Sequence, residues 1–239
     1  MTMTQVAAPA SLSSPPKKRV SLEEFFRATM GQWAEWVDGE VIEMTPVTVF
    51  HARLLRFLLS VLQGWVAFRD MGEVFSEPFV MRLERSVRSP DVMVVRKEHL
   101  DRLTETHLEG PADLVVEIVS PESVRRDYEE KYHEYARAGV PEYWIVDPAH
   151  EVVTAFTLAE PGRYQVLFEG HEGRLESKVL PGFWMQVTWL WQRPLPPAHR
   201  VLREIGGEAY LRWLLTEETP TPGEGKAGKS TTNQPSTNR

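Results

Sequence analysis

Glu117 stands inside Leu114-Val115-Val116-Glu117-Ile118-Val119, a run that is otherwise wholly apolar. A short apolar run of this kind reads as a strand buried on both faces. A lone ionised carboxylate is costly there, so it must be paired, protonated or bound to a cation. Asp91 begins another strand directly after Pro90, with Val92, Met93, Val94 and Val95 following. Two carboxylates on adjacent strands can converge at one end of a sheet. With water and carbonyls they make the hard oxygen environment that Mg²⁺ or Mn²⁺ prefers. The segment after Glu117 carries Asp127, Lys131 and Tyr135 at i, i+4 and i+8, one face of a helix. In a tight βαβ unit that face directs the Lys131 ammonium back toward Glu117. Two acids, a divalent cation and a lysine suit the attack of water on a phosphodiester. The cation polarises the phosphoryl oxygen and lowers the pKa of water, and the lysine stabilises developing charge or orients the nucleophile. Without a cation, Glu117 reads as a buried ion-pair member, with Arg53 or Lys131 as its partner.

The elements that must hold these groups follow from pattern. Ser21-Leu22-Glu23-Glu24 is a capping box opening a short helix. Trp33 to Val37, then Asp38-Gly39, then Glu40 to Met44 predicts a β-hairpin with a tight turn. Val49, Ala52, Leu55, Leu59, Leu62 and Val66 recur at helical spacing and predict a long, mostly buried helix over 48–68. Val74 to Leu83 and Asp91 to Val95 read as strands. A helix over about 122–138 is stopped by Gly139, and Tyr143 to Val146 is a second buried strand. Strand, helix, strand makes a βαβ crossover. Val152 to Leu158 and Tyr164 to Phe168 add strands, and 199–215 reads as a helix on Val201, Leu202, Ile205, Leu211 and Leu214. Tyr135 is expected against the sheet edge and Trp144 in the core.

The chain has 239 residues, 42% hydrophobic and 26% charged, with no cysteine. That excludes disulfides, thiolate metal sites and a cysteine nucleophile. No apolar run reaches membrane-spanning length and no signal-peptide core is present, so a cytoplasmic, non-membrane protein is expected. The net charge is −7 and is carried by the middle of the chain. A whole surface built to bind polyanions is thereby excluded, though a local basic groove is not. Arg82, Arg85 and Arg88 precede Asp91, Arg96 and Lys97 follow it, and Arg125 and Arg126 begin the helix that carries Lys131. These clusters flank the two acids as a phosphate-tracking groove would require. Residues 1–20, with the basic Lys17-Lys18-Arg19, and 216–239 read as disordered arms around one domain, 21–215. Gly223 to Ser230 matches the phosphate-loop pattern G-x-x-x-x-G-K-[ST]. A Thr/Pro-rich stretch precedes it and no helix pattern follows, so it reads as a linker.

Ser89-Pro90-Asp91-Val92-Met93-Val94-Val95, then Asp113 to Pro121 around Glu117, then Arg126-Asp127 with Lys131 and Tyr135, then Gly139-Val140-Pro141-Glu142-Tyr143-Trp144-Ile145-Val146-Asp147-Pro148 resembles the Uma2 family of endonucleases. That family lies in the PD-(D/E)xK, restriction-endonuclease-like superfamily. The resemblance spans about residues 30–190 and is specific over 89–148. It implies an α/β fold with a restriction-endonuclease-like core, a mixed central sheet flanked by helices. It implies Asp91 and Glu117 as ligands of Mg²⁺ (or Mn²⁺), and a Mg²⁺-dependent endonuclease acting on DNA. The chain departs from the superfamily pattern at Val119, where the lysine of E-x-K would stand; the resemblance puts Lys131 in its place. Glu40 and His51 are accessory candidates, the first also readable as an exposed hairpin residue, the second as a satisfied histidine. Cutting both strands of a duplex would suit a homodimer. The rival from another class is a non-catalytic binding or regulatory module on the same fold. Hydrolysis of a smaller phosphodiester shares the same site.

Overall fold

The computed structural model describes residues 19–28 and 33–217. The expected terminal arms lie outside these residues except for Arg19, Val20, Thr216 and Glu217, and the phosphate-loop match lies wholly outside them. Helix α1 (Leu22–Ala28) opens with the capping box: the Glu24 amide donates to Ser21 Oγ at 3.1 Å, and the Ser21 amide donates to Glu24 Oε2 at 2.8 Å. Strands β1 (Ala34–Val37) and β2 (Glu40–Glu43) form the hairpin about Asp38-Gly39. Both turn residues have positive φ, 49° and 95°, the geometry that an Asp-Gly pair tolerates.

Helix α2 (Val49–Phe68) is capped by Thr48, whose side chain accepts from the His51 amide at 3.1 Å. Its buried stripe is Leu54, Phe57, Leu58, Val61, Leu62, Trp65 and Val66, rotated from the expected one. Val49 is 69% exposed and Ala52 is exposed. So many positions of this helix are apolar that spacing alone does not choose between neighbouring faces. The expected single strand Val74–Leu83 is two, β3 (Gly72–Ser76) and β4 (Val80–Arg82), which lie in different sheets. Pro78 between them lacks a ladder donor. Strand β5 (Ser86–Arg88), β6 (Val92–Arg96) and β7 (His107–Glu109) follow. The apolar run forms β8 (Leu114–Ile118). The helix after it contains a π-helical stretch, Arg126–Lys131, before α3 (Tyr132–Ala138), and Gly139 ends it at φ 88°. Strands β9 (Glu142–Asp147), β10 (Val152–Glu160), β11 (Arg163–Gly170), β12 (Arg174–Glu176) and β13 (Trp184–Gln186) precede α4 (Ala198–Glu217).

The central sheet has the order β11-β10-β9-β8-β6-β3. Only β8 and β9 pair in parallel within it, so it is mixed, as the crossover requires. A second sheet, β2-β1-β5-β4-β7, was not expected as a unit, because β5 and β7 are three residues long and carry no apolar run. On one face of the central sheet, α2, α4 and the β12/β13 ribbon cover Val92, Val94, Val116, Ile118, Trp144 and Val146. A Cβ on Gly64 would collide with Leu202 Cδ1, so this glycine sets how closely α4 approaches α2. On the other face, α3 and the second sheet cover Met93, Val95, Val115, Val119, Tyr143 and Ile145. In α4 a kink at Gly207 turns the helix, so Leu211 is exposed and Tyr210 takes the buried position. Among the described residues, no helix is long and apolar enough to cross a membrane.

Candidate active site

The antiparallel register of β6 and β8 pairs Val92 with Val116 and Met93 with Val115. Continued by one residue, it sets Asp91 opposite Glu117. Directly opposed residues in an antiparallel pair share a face. Both acids therefore turn to the side covered by α3 and the second sheet. Asp91 Oδ2 accepts from the amide of Ile118, the residue after Glu117, at 2.6 Å. Asp91 Oδ1 lies 2.9 Å from His51 Nε2, so the first turn of α2 reaches the same end of the sheet. His51 Nδ1 is buried without a partner.

Glu117 Oε1 lies 2.8 Å from Lys131 Nζ and accepts from the Tyr135 hydroxyl at 2.8 Å. Arg53 is exposed, so of the two sequence-predicted partners Lys131 is the one that pairs. Tyr135 bonds an acid of the site instead of merely packing on the sheet edge. Lys131 is 1% exposed and touches two further acids: Glu35 Oε1 at 3.3 Å and Asp127 Oδ1 at 3.6 Å. The last distance is an ion-pair contact, too long for a hydrogen bond, and Asp127 Oδ1 makes no hydrogen bond at all. Asp127 Oδ2 accepts from Ser123 Oγ at 2.5 Å. The π-helical stretch begins and ends around this pair; such local widenings recur at functional sites.

Glu35, in β1, was not expected here. It is wholly buried and joins the site to the second sheet: Arg88 Nη1 donates to its Oε2 at 2.9 Å, and the Ser89 amide to its Oε1 at 3.2 Å. Arg88 also pairs with Glu134 at 2.5 Å. Glu35 alternates with Ala34 and Trp36 in the hairpin, and an acid in a short amphipathic strand carries no signal that it points inward. Glu77, in the β3–β4 turn, also faces the site and was not expected. Glu40 sits at the start of β2 opposite Val37 and is not among the residues that line the site cavity.

A cavity of about 40 Å³ lies at this sheet end, lined among others by His51, Glu77, Asp91, Ser123, Arg126 and Asp127. It can hold an ion or a water or two, but no nucleotide. Six carboxyl groups, Glu35, Glu77, Asp91, Glu117, Asp127 and Glu134, gather around three permanent cations, Arg88, Arg126 and Lys131. With all six carboxyls ionised, the balance among the described residues would be negative even with His51 protonated.

The imbalance shows in the acids. Burial pushes Glu117 up to about 8; Asp127, Asp91 and Glu35 add to the push and Lys131 opposes it. Burial, with the Asp91 charge, pushes Glu77 up to about 7. Burial also raises Asp127, against Lys131, Ser123 and Arg126. Glu35 is the exception: burial is outweighed by Lys131, Arg88 and Arg126, which hold it at about 2. Burial lowers His51, but its bond to Asp91 and the Asp91 charge raise it overall. Lys131 is raised, since Glu117, Glu35 and Asp127 outweigh its burial, so it stays an ammonium.

These directions set a pH dependence. An acid whose folded pKa lies above its unfolded value binds a proton that the unfolded chain has released. Its stabilising effect is lost as pH rises from the unfolded value through the folded one. The raised histidine acts in the same direction. The lowered Glu35 acts oppositely, but only as pH falls toward about 2. With EDTA present, the melting temperature is therefore expected to fall as pH rises from about 5 to about 8. A melting temperature that is level or climbs across that window, in a buffer-matched thermal melt, contradicts the assignment.

Among the described residues, no three of His, Asp and Glu form a closed metal cage. Mg²⁺ does not require one, since it commonly takes one or two carboxylates and keeps several waters. Two carboxylates are enough for such an ion: Asp91 lines the cavity and Glu117 opposes it in register.

The family model Uma2, described as "Putative restriction endonuclease", matches residues 22–188. The fold is similar to the crystal structure of "a putative nuclease belonging to DUF820" from Anabaena variabilis ATCC 29413. The TM-score is 0.61 at 16% identity, over 72% of this chain and 97% of that one. No curated protein matches. The family match covers the βαβ unit and every acid gathered around Lys131: the chain belongs to the Uma2 family.

Proposed function

We propose that this protein is a Mg²⁺- or Mn²⁺-dependent endonuclease that hydrolyses DNA phosphodiester bonds. One observation carries the reading: Asp91, at the rim of a small cavity, and Glu117 face the same side at one sheet end, with Lys131 beside Glu117. Asp91 and Glu117 would hold the ion. When bound, it supplies Lewis-acid polarisation of the phosphoryl oxygen and a more acidic water. His51 and the Ile118 amide fix both oxygens of Asp91, and Tyr135 fixes Glu117. Lys131 is held as an ammonium by three acids, so it stabilises charge developing on the phosphate and does not take a proton from water. Cleavage of both strands of a duplex calls for two such sites, which a two-fold homodimer would supply.

The burial of Lys131 favours a second reading, a non-catalytic module in which the lysine only neutralises buried acids. The two separate on supercoiled plasmid with Mg²⁺ or Mn²⁺, beside an EDTA control and Asp91→Ala. Nicked or linear product from the wild type alone is the expected result. Equal nicking by both proteins identifies a contaminant. Intact plasmid throughout sinks the nuclease reading in favour of the module.

A further inference from the structure

The basic residues that flank the site are, with one exception, already spent on acids. Arg82 pairs with Glu109 at 2.6 Å, Arg85 with Asp38 at 2.8 Å, and Arg88 with Glu35 and Glu134. Arg96 pairs with Glu98 at 2.7 Å, Lys97 with Asp70, and Arg125 with Glu129 and Glu130 at 3.5 and 3.6 Å. Arg126 forms no ion pair among the described residues. Its Nε is buried and has no hydrogen-bond partner, although the side chain lines the cavity beside Asp91 and Asp127.

The Arg126 charge lowers Glu35 and Asp127 from a distance, yet its guanidinium makes no contact ion pair with any carboxylate among the described residues. A buried N–H without a partner costs about 1–3 kcal/mol unless a water or a ligand accepts from it. Arg126 is half-buried: its Nε is buried, and the side chain lines the cavity and also reaches the surface. The cavity is too small for a nucleotide, so a nucleic-acid backbone must approach from its rim. The planar fork of an arginine matches the oxygens of a phosphate at such a place.

We propose that Arg126 is the phosphate-binding residue of this site, receiving a non-bridging oxygen of the bound backbone beside the Asp91–Glu117 pair. The assignment rests on the nuclease reading for the identity of the anion. It stands apart from the ion ligands and from Lys131, which is enclosed by acids. Because the contact is to the backbone, it carries no base preference.

The test is binding of a short DNA duplex in Ca²⁺, measured by fluorescence anisotropy across a salt series, for wild type, Arg126→Ala, Arg126→Lys and the exposed control Arg125→Ala. Loss of one phosphate contact lowers the slope of log K against log salt by about 0.9. Arg126→Ala is expected to bind roughly ten-fold or more weakly, with that smaller slope. Arg126→Lys is expected to restore the slope and only part of the affinity, and Arg125→Ala to match wild type. A merely structural role would not move the salt slope by one charge and have lysine return it. If Arg126→Ala fails to fold, the lysine variant and Arg126→Gln carry the comparison. Equal affinity and slope for wild type and the neutral variant overturn the proposal, as does a wild type that does not bind duplex at all. The nuclease reading is scored separately: Arg126-dependent binding with intact DNA in Mg²⁺ and Mn²⁺ would defeat it and leave the phosphate contact standing.

Discussion

Lys131→Met is expected to lower the melting temperature at neutral pH by about 6–20 °C. Among the described residues, the lysine is the one cation in contact with Glu35, Glu117 and Asp127 together, and all four side chains are almost wholly buried. Removing one partner of a buried ion cluster costs about 3–5 kcal/mol, because the remaining charges stay desolvated without compensation. For a domain of this size each kcal/mol moves the midpoint by about 2–4 °C. Methionine keeps most of the volume, so the effect isolates charge from packing. The deficit should shrink toward acid pH, where Asp127 takes up a proton and joins the already protonated Glu117. A drop of under about 2 °C would mean that solvent reaches these acids and that Lys131 is not their neutraliser.

Added Mg²⁺ is expected to raise the melting temperature, and Asp91→Ala to abolish the rise. A ligand at a hundred times its dissociation constant stabilises by about 2.7 kcal/mol, which here corresponds to about 5–11 °C. The alanine variant also strips partners from His51 and the Ile118 amide, so its starting stability is lower. The cation-induced shift, not the absolute midpoint, is therefore the quantity to compare. Because the ion competes with protons for Glu117, which sits at about 8, the shift should be larger at pH well above neutral than in mild acid. EDTA should reverse it. The same rise in Asp91→Ala as in wild type would place the ion elsewhere or make it non-specific.

Much of this site is legible from local sequence. Glu117 announces itself because a charge interrupts an apolar run, and Asp91 because it follows Pro90 at the mouth of a strand. Lys131 and Tyr135 follow from helix spacing, which survives the π-helical stretch well enough for both to reach Glu117. Other members leave no such mark. Glu35 sits in a short hairpin strand and Glu77 in a turn; both are acids in places where acids are ordinary. They are drawn in only because the second sheet folds over the central one. The same limit explains the helix faces. Leu54 and Leu58 rather than Ala52 and Leu55 are the most buried in α2, since packing partners choose among apolar rows that periodicity cannot rank. In α4 the Gly207 kink shifts the buried face partway along.

The βαβ core, its buried strands and the acid-acid-lysine order could be read along the chain, because each depends on near neighbours. Which charges meet depends on how the sheets pack. That packing brought Glu35 and Arg88 against Lys131, left Arg126 unpaired and surrounded the site with more acids than cations. Electrostatic energy depends on distance through space and on exclusion of water, and neither is written in the spacing of residues along a strand.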